Sequence, residues 1–205
     1  MDKIPLLNID SAIEILKNGG IIAYPTETFY GLGCDATRPQ SVKKIFDVKG
    51  RETKAPISVL IPSFERLRDY VQDIPALAQR LIQKYWPGPL TLIFRARDGV
   101  FPHELLAGGE TIALRVSPHP IARQLVQALG LPLTTTSANR SGDPPARSLE
   151  EVRRYFTEIE GVIDGGTLPP AQGSTILDVT VDPPKVVREG EISREELSQV
   201  LSLKL

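Results

Sequence analysis

The sequence has one cysteine, two histidines and no long apolar run, and each shortage excludes a class of protein. A single thiol, Cys34, cannot form an intramolecular disulfide and fits a reducing compartment. So few cysteines and histidines also argue against a zinc site built from them. No apolar segment approaches the ~20 residues that span a bilayer, and the N-terminus lacks the pattern of a secretory signal. We therefore expect a cytoplasmic protein with no membrane contact.

The chain also has no large excess of basic or acidic residues. The 24 Lys and Arg residues and 25 Asp and Glu residues leave a net charge of -1, so no overall positive field attracts nucleic acid. RNA binding would depend on a local basic patch, since phosphate contacts supply most non-specific affinity. With 205 residues and 41% hydrophobic content, the chain can bury one sizeable core. We expect a single domain over 1–205, with its core from about 9 to 190 and no separate C-terminal domain.

Short strands and helices alternate along the chain, which predicts a mixed α/β fold. Strands are predicted at 21–24, 57–61, 90–95, 111–116, 131–136, 161–164 and 175–179. Helices are predicted at 41–49, 63–71, 74–86 and 120–129, and capping-box patterns at Ser11, Ser148 and Ser193 indicate three further helix starts.

Four loops that follow predicted strands or helices are rich in hydroxyl groups, glycines or cations. They are YPTETFYGLGCDA (24–36), KGRETK (49–54), TTTSANRSG (134–142) and the glycine-containing stretch 165–175. Ligands of α/β proteins collect at the ends of strands. The loops therefore predict a shared binding site.

The cations in these segments have two interpretations. Lys49 and Arg51 follow a predicted helix, so they can form a solvated turn that complements the helix dipole. They can also form an anion cradle, in which a guanidinium makes paired bonds to phosphate or carboxylate. Both interpretations leave the two side chains exposed. Arg115 lies within the apolar strand TIALRVS, where burial without an anion is costly, so it either binds an anionic ligand, forms a structural ion pair or points outward.

The remaining polar residues give weaker signals. The row Thr134 to Ser137 offers hydroxyl groups for a ligand, but strands also favour threonine, with Asn139 then serving as a turn residue. His103 and His119 have no partners that suggest a catalytic triad, and Cys34 is interpreted as a packed thiol. The chain contains neither a GxxxxGK[ST] nor a GxGxxG motif, so a nucleotide site would be of another type.

Taken in order, PTETFYGLG, KGR, ALRV, TTSANRSG and GSTILD identify a resemblance. From about residue 9 to 188 the chain resembles the YrdC-like family, whose members include threonylcarbamoyl-AMP synthases. The resemblance implies one α/β domain with a curved mixed parallel/antiparallel sheet and flanking helices around a large concave site. Two departures stand out: the proline that commonly follows KGR is Glu52 here, and the strand PISVL (56–60) lacks a histidine that many relatives carry.

The resemblance also implies a reaction. A nucleotidyltransferase of this type condenses L-threonine, bicarbonate or carbon dioxide, and ATP into threonylcarbamoyladenylate and pyrophosphate. A tRNA-modifying transferase complex then uses the product for the t6A modification at position 37 of tRNA. The enzyme itself could also contact tRNA. Mg²⁺ would arrive with ATP, without protein side chains as metal ligands. The alternative is a non-catalytic module that binds double-stranded RNA or tRNA through the same concavity.

The same resemblance assigns roles to individual residues. Catalysis would rest on charge neutralisation by Lys49 and Arg51, with Arg188 assisting. The residues implied to bind threonine are Thr28, Arg115, Thr135 and Ser174. Those implied to bind the nucleotide are Lys49, Arg51, Ala55, Thr111, Ser137, Asn139, Pro145 and Arg188.

Overall fold

The computed structural model describes residues 4–50, 57–106, 109–203 and 205. Within these residues, the α-helices are α1 (Ile9–Lys17), α2 (Pro39–Lys49), α3 (Ala76–Tyr85), α4 (Pro120–Leu129), α5 (Leu149–Tyr155) and α6 (Arg194–Leu201). A 3-10 helix covers Phe64–Asp69. The strands are β1 (Ile22–Pro25), β2 (Tyr30–Gly33), β3 (Ser58–Leu60), β4 (Leu90–Arg95), β5 (Thr111–Arg115), β6 (Leu133–Thr134), β7 (Thr136–Ser137), β8 (Gly161–Val162), β9 (Thr175–Asp178) and β10 (Lys185–Arg188).

The predicted mixed α/β architecture is confirmed, with the described strands arranged in two sheets. One sheet has the order β7-β2-β1-β8, and the other has the order β10-β9-β4-β5-β3-β6. Both are mixed: β1 pairs antiparallel with β2 and parallel with β8, and β4 pairs antiparallel with β5 and parallel with β9. Helices α1 and α4 pack against β1 and against each other.

The two sheets meet where one predicted strand is divided. The pattern 131–136 predicts a single strand, but β6 pairs with β3 and β7 pairs with β2 of the other sheet. Thr135 lies between them, and its N–H donates to the Ser58 carbonyl at 2.7 Å. The Thr134 N–H reaches back to the Cys34 carbonyl at 3.0 Å. The TTTSANRSG segment (134–142) therefore begins at the junction of the two sheets.

Local sequence explains most helix boundaries. Helix α2 buries Val42, Ile45 and Phe46 on one face and ends at Gly50, whose φ of 62° favours glycine. Helix α1 begins earlier than predicted: Asn8, rather than Ser11, is its N-cap, and Ser11 occupies the third helical position of the capping box. The segment predicted as a helix at 63–71 forms the short 3-10 helix instead.

The C-terminal helix packs on the body of the fold. Helices α3 and α6 lie against each other, and Leu197 and Leu201 of α6 join the larger of two buried apolar clusters. The second cluster lies between α1, α4 and β1 and includes Leu16, Ile22 and Leu125. No helix among the described residues is long and apolar enough to cross a membrane.

Candidate functional site

A cavity opens beside the corner between the two sheets. About 730 Å³ of free space lies within it, a figure that includes the solvent at its open mouth. Its lining comes from the 24–36 segment, the ends of β3 and β5, the chain from 135 to 145, residues 173–176 and β10. The lining residues are Thr26, Thr28, Phe29, Tyr30, Gly31, Ser58, Arg115, Thr135, Thr136, Ser137, Pro145, Gly173, Ser174, Ile176 and Arg188.

An internal ion pair holds Arg115 in the cavity wall. Arg115 ends β5 with only 4% of its side chain exposed, and its Nη1 donates to Glu27 Oε1. Glu27 Oε2 accepts a second bond from Ser117 Oγ at 2.5 Å. The Arg115 Nη2 lies 3.5 Å from Thr135 Oγ1, and its buried Nε has no hydrogen-bond partner among the described residues. Arg115 is therefore both a structural ion-pair partner and a cavity residue with donor capacity to spare.

Two buried threonines of the 24–36 segment, Thr26 and Thr28, form a second wall. Thr26 Oγ1 donates to the Phe29 carbonyl at 2.7 Å and lies 3.2 Å from Thr28 Oγ1. Thr26 Oγ1 also accepts from the N–H groups of Thr28 and Phe29, each at 3.3 Å, so its proton and both its lone pairs are used within the loop. The Thr28 hydroxyl, which lines the cavity, is therefore available to a ligand as a donor or an acceptor.

The glycines of YGLG serve packing. Gly31 and Gly33 are typical turn residues, but both lie within the extended strand β2. A Cβ on Gly33 would lie 2.6 Å from Tyr24 Cε1, and one on Gly31 would lie 3.3 Å from Thr135 Oγ1. The Tyr24 ring can therefore cross β2 closely, and its hydroxyl donates to the Thr134 carbonyl at 2.8 Å.

The opposite wall combines Arg188 with Ser174. Arg188 Nε and Nη2 donate to the Ser174 carbonyl at 3.1 and 2.7 Å, and Nη2 also lies 3.1 Å from Ser174 Oγ. The pKa of Arg188 is lowered, first because the guanidinium is partly desolvated and second because it faces the positive charge of Arg115. With two arginines and Glu27 as the carboxylate paired to one of them, the cavity suits an anionic ligand.

Lys49 occupies a position that the sequence does not predict. Its side chain is buried, with 3% exposed, although both interpretations of KGR leave it exposed. Burial follows from the carbonyl groups around it, because Nζ donates to the Ser137 carbonyl at 2.6 Å and to the Asn139 carbonyl at 2.9 Å. Lys49 thus holds the backbone behind Ser137 and does not line the cavity.

Asn139 is also behind the cavity wall. It is buried, accepts from Ser137 Oγ at 2.6 Å and donates to the Asp143 carbonyl at 2.7 Å. The amide therefore fixes the turn that carries Ser137. Thr111 lies at the far end of β5 from Arg115, paired with Arg95, and is absent from the cavity lining.

Of the residues predicted to bind substrate, seven line this one cavity: Thr28, Thr135, Arg115 and Ser174 for threonine, and Ser137, Pro145 and Arg188 for the nucleotide. Arg51 and Ala55 lie outside the described residues, so their roles stay predictions. The described residues contain no group of three His, Cys, Asp or Glu side chains that could hold a metal ion.

Other contributors went unrecognised in the sequence. Thr26, Phe29 and Ser58 line the cavity. Glu27 and Thr91 bond to the lining residues Arg115 and Ser174, and Ser117 bonds to Glu27. The sequence did contain a signal for Glu27. Arg115 lies in an apolar strand and needs an anionic partner if buried, and Glu27 of PTET is a carboxylate in a neighbouring polar segment. No local signal identifies Ser117 or Thr91, since their partners are 90 and 83 positions away.

Comparisons with known proteins show which family this chain belongs to. Residues 14–190 match the family model Sua5/YciO/YrdC, described as "Telomere recombination". A threonylcarbamoyl-AMP synthase of Pyrococcus abyssi is 37% identical over 201 residues, which cover 98% of this chain and 59% of that relative. One of Xanthomonas axonopodis pv. citri is 38% identical over 193 residues, covering 92% of this chain and 98% of the relative.

A solved structure shows the same fold. The crystal structure of P. abyssi Sua5 complexed with L-threonine superposes with a TM-score of 0.90 at 38% identity, covering 94% of this chain and 56% of that one. The present chain thus spans little more than half the length of the Pyrococcus protein. The ordered motifs, the family model over most of the chain and the shared fold lead to one conclusion: this chain belongs to the Sua5/YciO/YrdC family.

Proposed function

We propose that the protein forms L-threonylcarbamoyladenylate from L-threonine, bicarbonate or carbon dioxide, and ATP, with release of pyrophosphate. The observation that carries the proposal is the convergence of Thr28, Arg115, Thr135, Ser174 and Arg188 on one cavity of the family fold. The synthase names of the relatives and the threonine complex of Sua5 support it.

The arrangement suits an amino acid whose two ends differ in charge. Arg115 can donate to the threonine carboxylate while Glu27 fixes the guanidinium from behind. The Thr28 hydroxyl, on the same cavity lining, can accept from the amino group. The wall therefore offers a donor and an acceptor to the two ends of one ligand.

The chemistry requires no protein nucleophile. The neutral threonine amine attacks the carbon of carbon dioxide and loses a proton, which leaves a carbamate. A carbamate oxygen then attacks the α-phosphorus of ATP, the bond to the bridging oxygen breaks, and pyrophosphate leaves. In this second step the carbamate and the triphosphate are both anions, so positioning and neutralisation by cations such as Arg188 carry the catalysis.

The nucleotide is assigned to the side of the cavity near Ser137, Pro145 and Arg188. Lys49 contributes there by holding the Ser137 and Asn139 carbonyls, which keeps the loop in place. Mg²⁺ carried on the triphosphate would neutralise the leaving pyrophosphate, and we assign it no protein ligand. Arg51 and Ala55 complete the proposed nucleotide set.

In this proposal the enzyme passes the product to a transferase complex, which uses it for t6A modification at position 37 of tRNA. The enzyme contacts that complex and tRNA transiently. The alternative, a non-catalytic RNA-binding module, gains no support. The net charge of -1 offers little to a phosphate backbone, and the similar proteins bear synthase names.

The test is pyrophosphate release from ATP by the purified chain. We expect release only when L-threonine and bicarbonate are both present. Arg188→Ala should lower the rate by about 100-fold, because one charged donor at a developing anion is lost. Arg123→Ala, an exposed arginine of α4 outside the cavity, is the matched control and should keep the wild-type rate. Release that is independent of threonine would overturn the proposal.

A further inference from the structure

Thr91 lies behind the cavity wall, where its hydroxyl group bonds to Ser174. It belongs to β4 and is completely buried, and Ser174 Oγ, 2.8 Å away, is the one hydrogen-bond neighbour that the described part of the chain gives its Oγ1. If Thr91 accepted in this contact, its own proton would stay buried without a partner, which proteins avoid. Thr91 is therefore the donor.

Ser174 Oγ consequently receives two hydrogen bonds from the protein. One comes from Thr91 Oγ1, and the other comes from Arg188 Nη2 at 3.1 Å. A serine oxygen has two lone pairs and one proton, so both acceptor positions are filled and only the O–H remains. Among the described residues no acceptor takes that proton, and Ser174 lines the cavity. The proton must point into the cavity.

We propose that Thr91 is a positioning residue that makes Ser174 an obligatory hydrogen-bond donor to the substrate. The ligand atom at Ser174 is then an acceptor, namely an oxygen of the L-threonine carboxylate, and an ammonium group is disfavoured there. This inference rests on the proposed function and specifies which end of the amino acid contacts Ser174.

Two substitutions separate this role from packing. Thr91→Val keeps the shape of the side chain and removes the donor, whereas Thr91→Ser keeps the donor and removes a methyl group. Without the Thr91 donor, one lone pair of Ser174 Oγ is unfilled, so the orientation of its O–H is no longer fixed toward the cavity, and the substrate bond weakens. We expect Thr91→Val to raise the Kd and KM for L-threonine by about fivefold, the equivalent of one ordinary hydrogen bond. The kcat should stay unchanged, because the bond is present before and during the reaction.

The measurements are calorimetric titration with L-threonine and initial rates of pyrophosphate release. Thr91→Ser should behave as wild type, which a packing role does not predict. Ser174→Ala should weaken threonine binding as well, and adding Thr91→Val to it should cause no further loss, because Thr91 acts through Ser174. If Thr91→Val fails to fold, Thr91→Ala, which also lacks the hydroxyl, replaces it in the same comparison.

Each outcome is decisive. A Kd of Thr91→Val equal to wild type overturns the inference, as does Thr91→Ser weakened as much as Thr91→Val. A double variant fivefold weaker than Ser174→Ala would show that Thr91 acts by another route and would also overturn it. In these cases wild-type turnover still supports the proposed function. If the wild-type protein binds no L-threonine, the proposed function fails, and the inference fails with it.

Discussion

Replacing Glu27 by glutamine tests the electrostatic basis of the cavity wall. The substitution keeps the size of the side chain and removes the negative charge beside Arg115. Arg115 is 4% exposed and Glu27 is 15% exposed, so the guanidinium would remain buried without a counter-ion. Removal of one partner from a buried pair costs about 3–5 kcal/mol. We expect about 3 kcal/mol, the low end, because the amide oxygen can still accept and the cavity admits water.

The assay is urea unfolding followed by circular dichroism at pH 7. With a denaturant slope of about 2 kcal/mol per M, the midpoint of Glu27→Gln should fall by about 1.5 M with little change in slope. Glu158→Gln is the control, since the Glu158–Arg140 pair is exposed, at 38% and 46%, and such pairs contribute less than about 1 kcal/mol.

A double variant sharpens the test. Arg115→Met together with Glu27→Gln removes both charges, and an apolar replacement of a buried pair is often neutral. We therefore expect the double variant to be more stable than Glu27→Gln alone. Strictly additive losses, or a Glu27→Gln cost below about 0.5 kcal/mol, would refute the view that Glu27 compensates a buried charge.

Three further predictions follow from buried groups. Gly33→Ala should lower the unfolding free energy by about 1–3 kcal/mol in urea titrations, because its Cβ would overlap the Tyr24 ring. Gly109→Ala should change that free energy little, because its Cβ would lie 3.5 Å from the Leu106 carbonyl oxygen, an ordinary contact. Burial lowers the pKa of His119 below 6.5, so the unfolded chain binds the proton more readily and stability falls as pH drops from 7 to 5. His119→Gln should lose less unfolding free energy over that interval, and an equal loss would contradict this. Burial raises the pKa of Cys34 to about 12, so a disulfide reagent should modify it only after unfolding, and fast labelling of the native protein would contradict that.

Much of the fold could be predicted because its signals are local. The strand 90–95 and the helix 120–129 have the predicted bounds, since apolar alternation marks the one and Pro120 with Gly130 marks the other. Strand β2 escaped prediction because YGLG has two residues of low strand propensity, and only the Tyr24 ring explains why they are glycines. Strand β10 (KVVR) is short and largely exposed, so its pattern carries little signal.

The candidate site divides in the same way. Ordered motifs in the sequence identified Thr28, Arg115, Thr135 and Ser174, and the polar loops after strands indicated that a site exists. The sequence could not show that Lys49 is buried. A lysine at this point of the chain fits equally well in a solvated turn, in an anion cradle or among carbonyl groups. Its orientation depends on the Ser137 and Asn139 carbonyls, 88 and 90 positions away.

The sequence by itself determined the class of fold, the helix stops, the balance of charge and the family motifs, because each depends on neighbouring residues or on composition. Only the tertiary structure decided that Glu27 neutralises Arg115 and that Thr91 directs the Ser174 proton. These are pairings between residues 88 and 83 positions apart. Their energies depend on distance, burial and the number of remaining lone pairs, which exist only once the two sheets have met.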